Sequence, residues 1–180
     1  MTPSRRRAVV KVTGLLLILV AVGVFFSRGA DRPADPSLLP VATSARTPVD
    51  GFGQTGFRIE GTRAAAERCA LLAETSQQHG RGLMGRRDLA GYDGMVFDFK
   101  TEHTGQFYML DTPLPLSIAW FDTGGRFVSA TDMEPCIGQT TCALYAAAGP
   151  YRYALEVPQG GLPALGVGPG SRLALTPACT

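Results

Sequence analysis

The sequence predicts an all-β domain, a small β-barrel or β-sandwich with two short helices, preceded by one N-terminal transmembrane or signal helix. Two observations carry this. Through the last 124 residues, short apolar runs are broken every 8 to 14 residues by Gly, Pro or Asp, a spacing that suits strands rather than long helices. Ahead of them lies one uncharged stretch, Val12 to Phe26, behind the cationic flank Arg5, Arg6, Arg7 and Lys11.

Taken in order, residues 1–30 read as a signal anchor or signal peptide. A cationic flank before an apolar run keeps the arginines in the cytoplasm and sends everything after Arg28 outside. Counted from Ala8, with Lys11 snorkelling to the interface, the segment reaches roughly the ~20 residues a bilayer needs. Ser27 and Gly29 offer small residues before a cleavage point, but Arg28 and the lack of an Ala-x-Ala pattern favour a retained single-pass anchor over a cleaved, secreted form. Arg6-Arg7 also fits a twin-arginine export signal, although the strongly apolar run that follows favours the general secretory route.

Residues 31–56 hold Pro33, Pro36, Pro40, Pro48, Gly51, Gly53 and Gly56 among small polar residues and read as a linker. Residues 57–180 make one globular domain. Its expected strands are Phe57 to Glu60, Cys69 to Glu74, Gly94 to Phe99, Gln106 to Leu110, Ser117 to Asp122, Arg126 to Ala130, Arg152 to Val157 and Arg172 to Leu175. The Ser117–Asp122 and Arg126–Ala130 strands flank Thr123-Gly124-Gly125, whose glycines supply the positive φ of a tight hairpin. Short helices are expected from Ser76 to Met84 and from Leu162 to Leu165, the second stopped by the Gly166-Val167-Gly168-Pro169-Gly170 turn.

The formal charge of +2 is misleading, because four of the 17 cationic residues belong to the targeting flank. With those set aside, 13 cations face 15 acids, a net of −2. No basic stripe with interleaved aromatics is present, so no nucleic-acid partner is expected. Cys69, Cys136, Cys142 and Cys179 form an even set in an exported chain, where disulfides persist. Of the three connectivities, the short Cys136–Cys142 loop is the easiest to close, leaving Cys69 for Cys179. The rival, a metal site, lacks Cys-x-x-Cys spacing, and His79 and His103 are remote in sequence from the cysteines.

Several motifs occur together in order: Arg81-Gly82-Leu83-Met84, Gly94-Met95-Val96-Phe97-Asp98-Phe99, Phe107-Tyr108-Met109, Thr112-Pro113-Leu114-Pro115-Leu116-Ser117-Ile118, Met133-Glu134-Pro135-Cys136 and Tyr153-Ala154-Leu155-Glu156-Val157. In this combination residues 57–180 resemble the DUF192 family, a domain of unknown function. The resemblance implies a compact β-rich fold with short helices, commonly behind a signal or anchor in bacteria, and no agreed activity. The usual family pattern is Phe-Trp-Met-Lys-Asn-Thr, then Pro-Leu-Asp-Ile. Here the corresponding positions hold Tyr108, Leu110, Asp111 and Ser117, so a lysine and an acid of the pattern are lost.

Arg81, Met84, Asp98, Tyr108, Met109, Asp111, Thr112 and Glu134 are the candidate ligand-binding residues, since they flank apolar strands that could converge at one end of a barrel. The leading expectation is a non-catalytic ligand-binding or accessory module at the cell envelope, anchored through its N-terminal helix. Its partner would be a small molecule, a glycan or an envelope protein. One alternative is a small hydrolase-like envelope enzyme using Asp98, Asp111 or Glu134. Against it, the sequence contains no Gly-x-Ser-x-Gly, His-Glu-x-x-His or phosphate-cradling loop. The other is a soft Cu(I) site built from Met84, Met95, Met109, Met133 and Cys136, although methionine more often fills gaps in a core. No other cofactor or metal is expected. His79 and His103 read as solvated polar residues, on a helix and in a loop.

Overall fold

The structure, a computed structural model, describes residues 45–61, 66–177 and 179. The expected N-terminal helix, the twin-arginine pair and the first part of the expected linker lie outside the described residues. Among those described, no helix is long and apolar enough to cross a membrane.

The domain is mostly β. Its strands are β1 (Gly53–Glu60), β2 (Arg68–Ala73), β3 (Gly94–His103), β4 (Phe107–Tyr108), β5 (Leu116–Phe121), β6 (Phe127–Met133), β7 (Leu144–Tyr145), β8 (Tyr151–Pro158) and β9 (Arg172–Thr176). Seven of them form one sheet in the order β6-β5-β8-β3-β2-β1-β9, and β4 pairs with β7 in a separate two-stranded ribbon. The sheet curls into a half-barrel, so the sandwich alternative does not arise. Its edge strands approach where Arg126 bridges Arg172, with Phe127 N–H donating to the Ser171 carbonyl at 3.0 Å and Leu173 N–H to the Gly125 carbonyl at 2.8 Å. Gly125 permits this contact, having φ of 76° and no Cβ, which would stand 2.3 Å from the Leu173 carbonyl oxygen. That residue closes the β5–β6 hairpin expected from Thr123-Gly124-Gly125. The turn is held by the Asp122 carboxylate, which accepts from the backbone N–H of Gly124 and of Arg126 at 2.8 Å each.

Alternation along the strands sorts apolar side chains onto two faces. Phe57, Ile59, Ala70, Val96, Ala119, Phe121, Leu155, Val157 and Leu173 fill the concave interior, together with Leu162 and Val167 from the loop around a 3-10 turn, Pro163–Leu165. Leu71, Met95, Phe97, Ile118, Trp120, Tyr151 and Ala154 face the other way and form a second core. β2 and β3 are parallel, which demands a crossover, and residues 74–93 supply it across this second face, burying Leu83, Leu89 and Tyr92 there.

The crossover begins with α1 (Ser76–Arg81), whose capping box joins Thr75 and Gln78. The helix stops three residues earlier than Met84 because Gly82 turns to a φ of 44°, sending Gly82-Leu83-Met84 across the sheet close to the Phe97 ring. The end of the expected linker also folds. Val49 is buried, Thr47 N–H donates to the Ala90 carbonyl at 3.0 Å, and β1 starts at Gly53 instead of Phe57, its glycines lying opposite Leu72 and Cys69. Proline and glycine content marked this stretch as coil, but pairing with β2 supplies the backbone hydrogen bonds that composition alone cannot foresee. β7 has no counterpart among the expected strands. Two residues long, it is too short to show a period and exists through pairing with β4.

The cysteines pair as Cys69–Cys179 and Cys136–Cys142, with Cα separations of 5.3 and 5.9 Å. At Gly94, in the middle of the sheet, an added Cβ would stand 2.6 Å from the Glu156 carbonyl oxygen and 3.0 Å from a Leu155 methyl. Gly94→Ala is therefore expected to lower stability by about 1–3 kcal/mol by forcing β3 and β8 apart, as read from chemical denaturation midpoints.

Candidate functional site

A cleft of about 210 Å3 opens on the second face of the sheet, between the strands and the crossover. Its floor includes Glu156, at the middle of β8 and paired with Met95 of β3 on one side and Ile118 of β5 on the other. The strand carries this acid inward because Glu156 shares a face with Ala154, while Leu155 and Val157 point into the half-barrel. Glu156 is 5% exposed and lines the cleft, and no hydrogen bond or charge among the described residues contributes to its ionisation. Burial alone pushes its carboxyl up to about 8, so the side chain is a neutral acid over most of the physiological range.

The walls are aromatic. β3 contributes Phe97 and Phe99, β4 Phe107 and Tyr108, and β8 Tyr151. Phe97 meets Phe107 edge-on at 5.2 Å between centroids, and Phe99 meets Tyr151 edge-on at 5.4 Å. The end of α1 and the turn after it, His79 to Met84, form the remaining rim with Met109 and Thr112. Polar atoms of several wall residues are committed elsewhere. The Tyr151 hydroxyl donates to the Gly105 carbonyl at 2.8 Å, that of Tyr108 to the Gly80 carbonyl at 3.4 Å, and that of Thr112 to the Leu110 carbonyl at 3.2 Å. The Arg81 guanidinium donates to the Asp50 carbonyl at 3.0 Å and stacks over Phe52 at 5.1 Å.

Of the residues singled out from sequence, the fold brings Arg81, Met84, Tyr108, Met109 and Thr112 to this cleft. Asp98, Asp111 and Glu134 lie outside its lining. Asp98 projects from the opposite face of β3, bonded to Lys100 at 2.9 Å and Arg152 at 3.2 Å. Burial opposes its ionisation, but these hydrogen bonds outweigh that and hold its carboxyl below the usual range. Asp111 serves the backbone: at φ 49° its carbonyl accepts from Gly85 N–H at 2.7 Å and its N–H donates to the Cys136 carbonyl at 2.9 Å. Glu134 is exposed and accepts from the Gln159 amide at 2.8 Å. Met84 and Met109 share the cleft, whereas Met95 and Met133 are fully buried and Cys136 is held in its disulfide.

Besides Gln106 and most of the aromatic walls, sequence reasoning missed three polar members of the cleft. His79 and His103 both line it, each with its ring centroid 4.3 Å from that of Phe99, His103 stacked and His79 tilted, and His103 ends β3 rather than sitting in a loop. The third is Glu156. Its signal was present, since an acid flanked by Leu155 and Val157 in a strand apolar on both faces has no route to solvent.

Residues 58–175 match the DUF192 family, described as an uncharacterized ACR. The chain belongs to the DUF192 family. No curated protein matches it. Two solved structures do, each with a TM-score of 0.58. One, from Sinorhizobium meliloti, is described as a candidate transcription regulator; it is 28% identical, over 69% of this chain and 95% of that one. The other is a protein of unknown function from Novosphingobium aromaticivorans, 26% identical over 74% and 94% of the respective chains. Where the usual DUF192 pattern has an acid, this chain's Ser117 donates its hydroxyl to Asp132 across the β5–β6 pair and accepts from Gly160 N–H. Leu110, where the pattern has lysine, makes a bridge to Cys136.

Proposed function

We propose that this DUF192 domain is an extracytoplasmic ligand-binding module, held at the bacterial membrane by its N-terminal segment, with the aromatic cleft as its binding site. The single observation that carries this is Glu156. A buried polar group without a partner costs stability, on the order of 1–3 kcal/mol, unless something else satisfies it, and this one lies open to a cleft of about 210 Å3, room for a ligand smaller than a drug-sized molecule. Few polar anchors in an apolar, concave wall is the composition of a small-molecule site. The location is supported by the apolar segment behind Arg5, Arg6 and Arg7, and by two disulfides of the kind that persist outside the cytoplasm.

The lone tryptophan gives a reporter. Trp120 is buried against Phe107 and Tyr151, at 6.1 and 6.3 Å, so occupancy of the cleft should perturb its emission. Small aromatic and aliphatic metabolites are expected to raise the melting temperature of the 180-residue chain and change Trp120 fluorescence. Met84→Phe, which enlarges a residue lining the cleft, should weaken both responses about tenfold or more. Responses that survive Met84→Phe unchanged would place binding elsewhere, and a library without a response would sink the reading.

A further inference from the structure

We infer that the cleft over Glu156 takes an organic ammonium ion, a small cation carrying an apolar substituent. This rests on the cleft being a binding site and names the chemistry of its occupant. Three features of the site converge on it. The floor supplies a carboxyl that is 95% buried and unmatched by any donor among the described residues. The walls supply the rings of Phe97, Phe99, Phe107 and Tyr151, and an aromatic ring attracts, over its face, a cation brought out of water. The third is that Arg81, the one lysine or arginine in the lining, directs its guanidinium elsewhere, to the Asp50 carbonyl and the Phe52 ring.

A neutral acceptor ligand fits less well. The hydroxyls of Tyr108, Tyr151 and Thr112 already donate to backbone carbonyls, so beyond the single O–H of neutral Glu156 the site offers it few donors. An ammonium fits because it brings a positive charge to stabilise the ionised carboxylate, together with several N–H donors for its oxygens. Its arrival draws the Glu156 proton off to solvent, converting a neutral buried acid into one half of an ion pair, with the aromatic wall excluding water around it. The substituent then packs against Phe107 and the Met84 and Met109 side chains at the rim.

Titration calorimetry of the 180-residue chain with benzylammonium chloride, against benzyl alcohol as the uncharged probe of matching shape and sodium chloride as the ionic control, tests this. Benzylammonium is expected to bind about tenfold or more tighter than benzyl alcohol, and Glu156→Gln to erase the difference between the two probes. Circular dichroism and thermal unfolding of the variant verify that it is folded. Should benzyl alcohol bind as tightly as benzylammonium, or the preference persist in Glu156→Gln, the ammonium assignment falls and the binding cleft stands. Silence toward both probes, with library hits intact, overturns it in the same way. Silence toward both probes and the whole library overturns the cleft reading with it.

Discussion

Raising the pH from about 5 to about 9 is expected to destabilise the unliganded chain by on the order of 1 kcal/mol per pH unit between the ordinary carboxyl value of 4.5 and about 8, through Glu156. The unfolded chain releases this proton near 4.5, whereas the folded chain keeps it until about 8 because burial penalises the carboxylate. Across that window the native state holds one proton more than the unfolded state, so stability is full at the acid end and falls as pH rises. Other groups act outside it. Asp98, with its carboxyl held below the usual range, contributes stability that disappears only as pH falls below its ordinary value of 3.8. Lys100 is raised above 10.5 by hydrogen bonds to Glu74 and Asp98, and Tyr151 is raised above 10 by burial, so both contribute losses only at strongly alkaline pH. Urea unfolding at fixed ionic strength, compared between wild type and Glu156→Gln, isolates the one group. The variant should show a flat profile over the window and exceed wild type in stability above about pH 8. An unchanged slope in Glu156→Gln would mean that the carboxyl is hydrated or paired in solution.

Loss of the Cys69–Cys179 bridge is the second large effect expected. It closes 110 residues of sequence and fastens the tail beyond the edge strand β9 to β2, from which β9 is separated by β1. Chain entropy in the unfolded state sets an upper figure of about 5 kcal/mol for a loop of that size, and removal of such a bridge from a small domain typically costs about 2–5 kcal/mol. Cys179→Ser is the suitable variant, because Cys69 is buried and a hydroxyl there would add a second penalty. The Cys136–Cys142 bridge closes only 6 residues of sequence, for which the same relation gives about 2 kcal/mol. Thermal unfolding of Cys179→Ser and of Cys142→Ser should therefore rank the first well below the second. Equal midpoints for the two variants would show that the long bridge acts on the native state or forms against residual structure.

Both bridges were legible from spacing, because closing a short loop is a local matter and the remaining two cysteines then have only each other. The β5–β6 hairpin was legible for the same reason: two strand-like runs joined by Thr123-Gly124-Gly125 are a property of a dozen consecutive residues. Strand positions elsewhere came within a few residues, with errors at ends such as Gly53–Gly56, where partner strands rather than composition decide.

The candidate site was legible only in part. Arg81, Met84, Tyr108, Met109 and Thr112 were found because they flank apolar runs, and Asp98, Asp111 and Glu134 were grouped with them for the same reason. Flanking a strand does not say which face a residue occupies. Asp98 parts company with its neighbours Phe97 and Phe99 because successive residues of β3 face opposite sides of the sheet.

By itself, the sequence determined the β character of the domain, its hairpin, its crossover helix and its cysteine pairing, all governed by nearby residues or by elimination. Tertiary structure alone decided the order β6-β5-β8-β3-β2-β1-β9, which depends on pairings between strands far apart in the chain. That order puts β8 between β3 and β5 and covers its second face with the crossover. Glu156 becomes a buried, unmatched acid at the floor of a cleft through that placement, since desolvation is a property of everything packed around a side chain and not of the side chain itself.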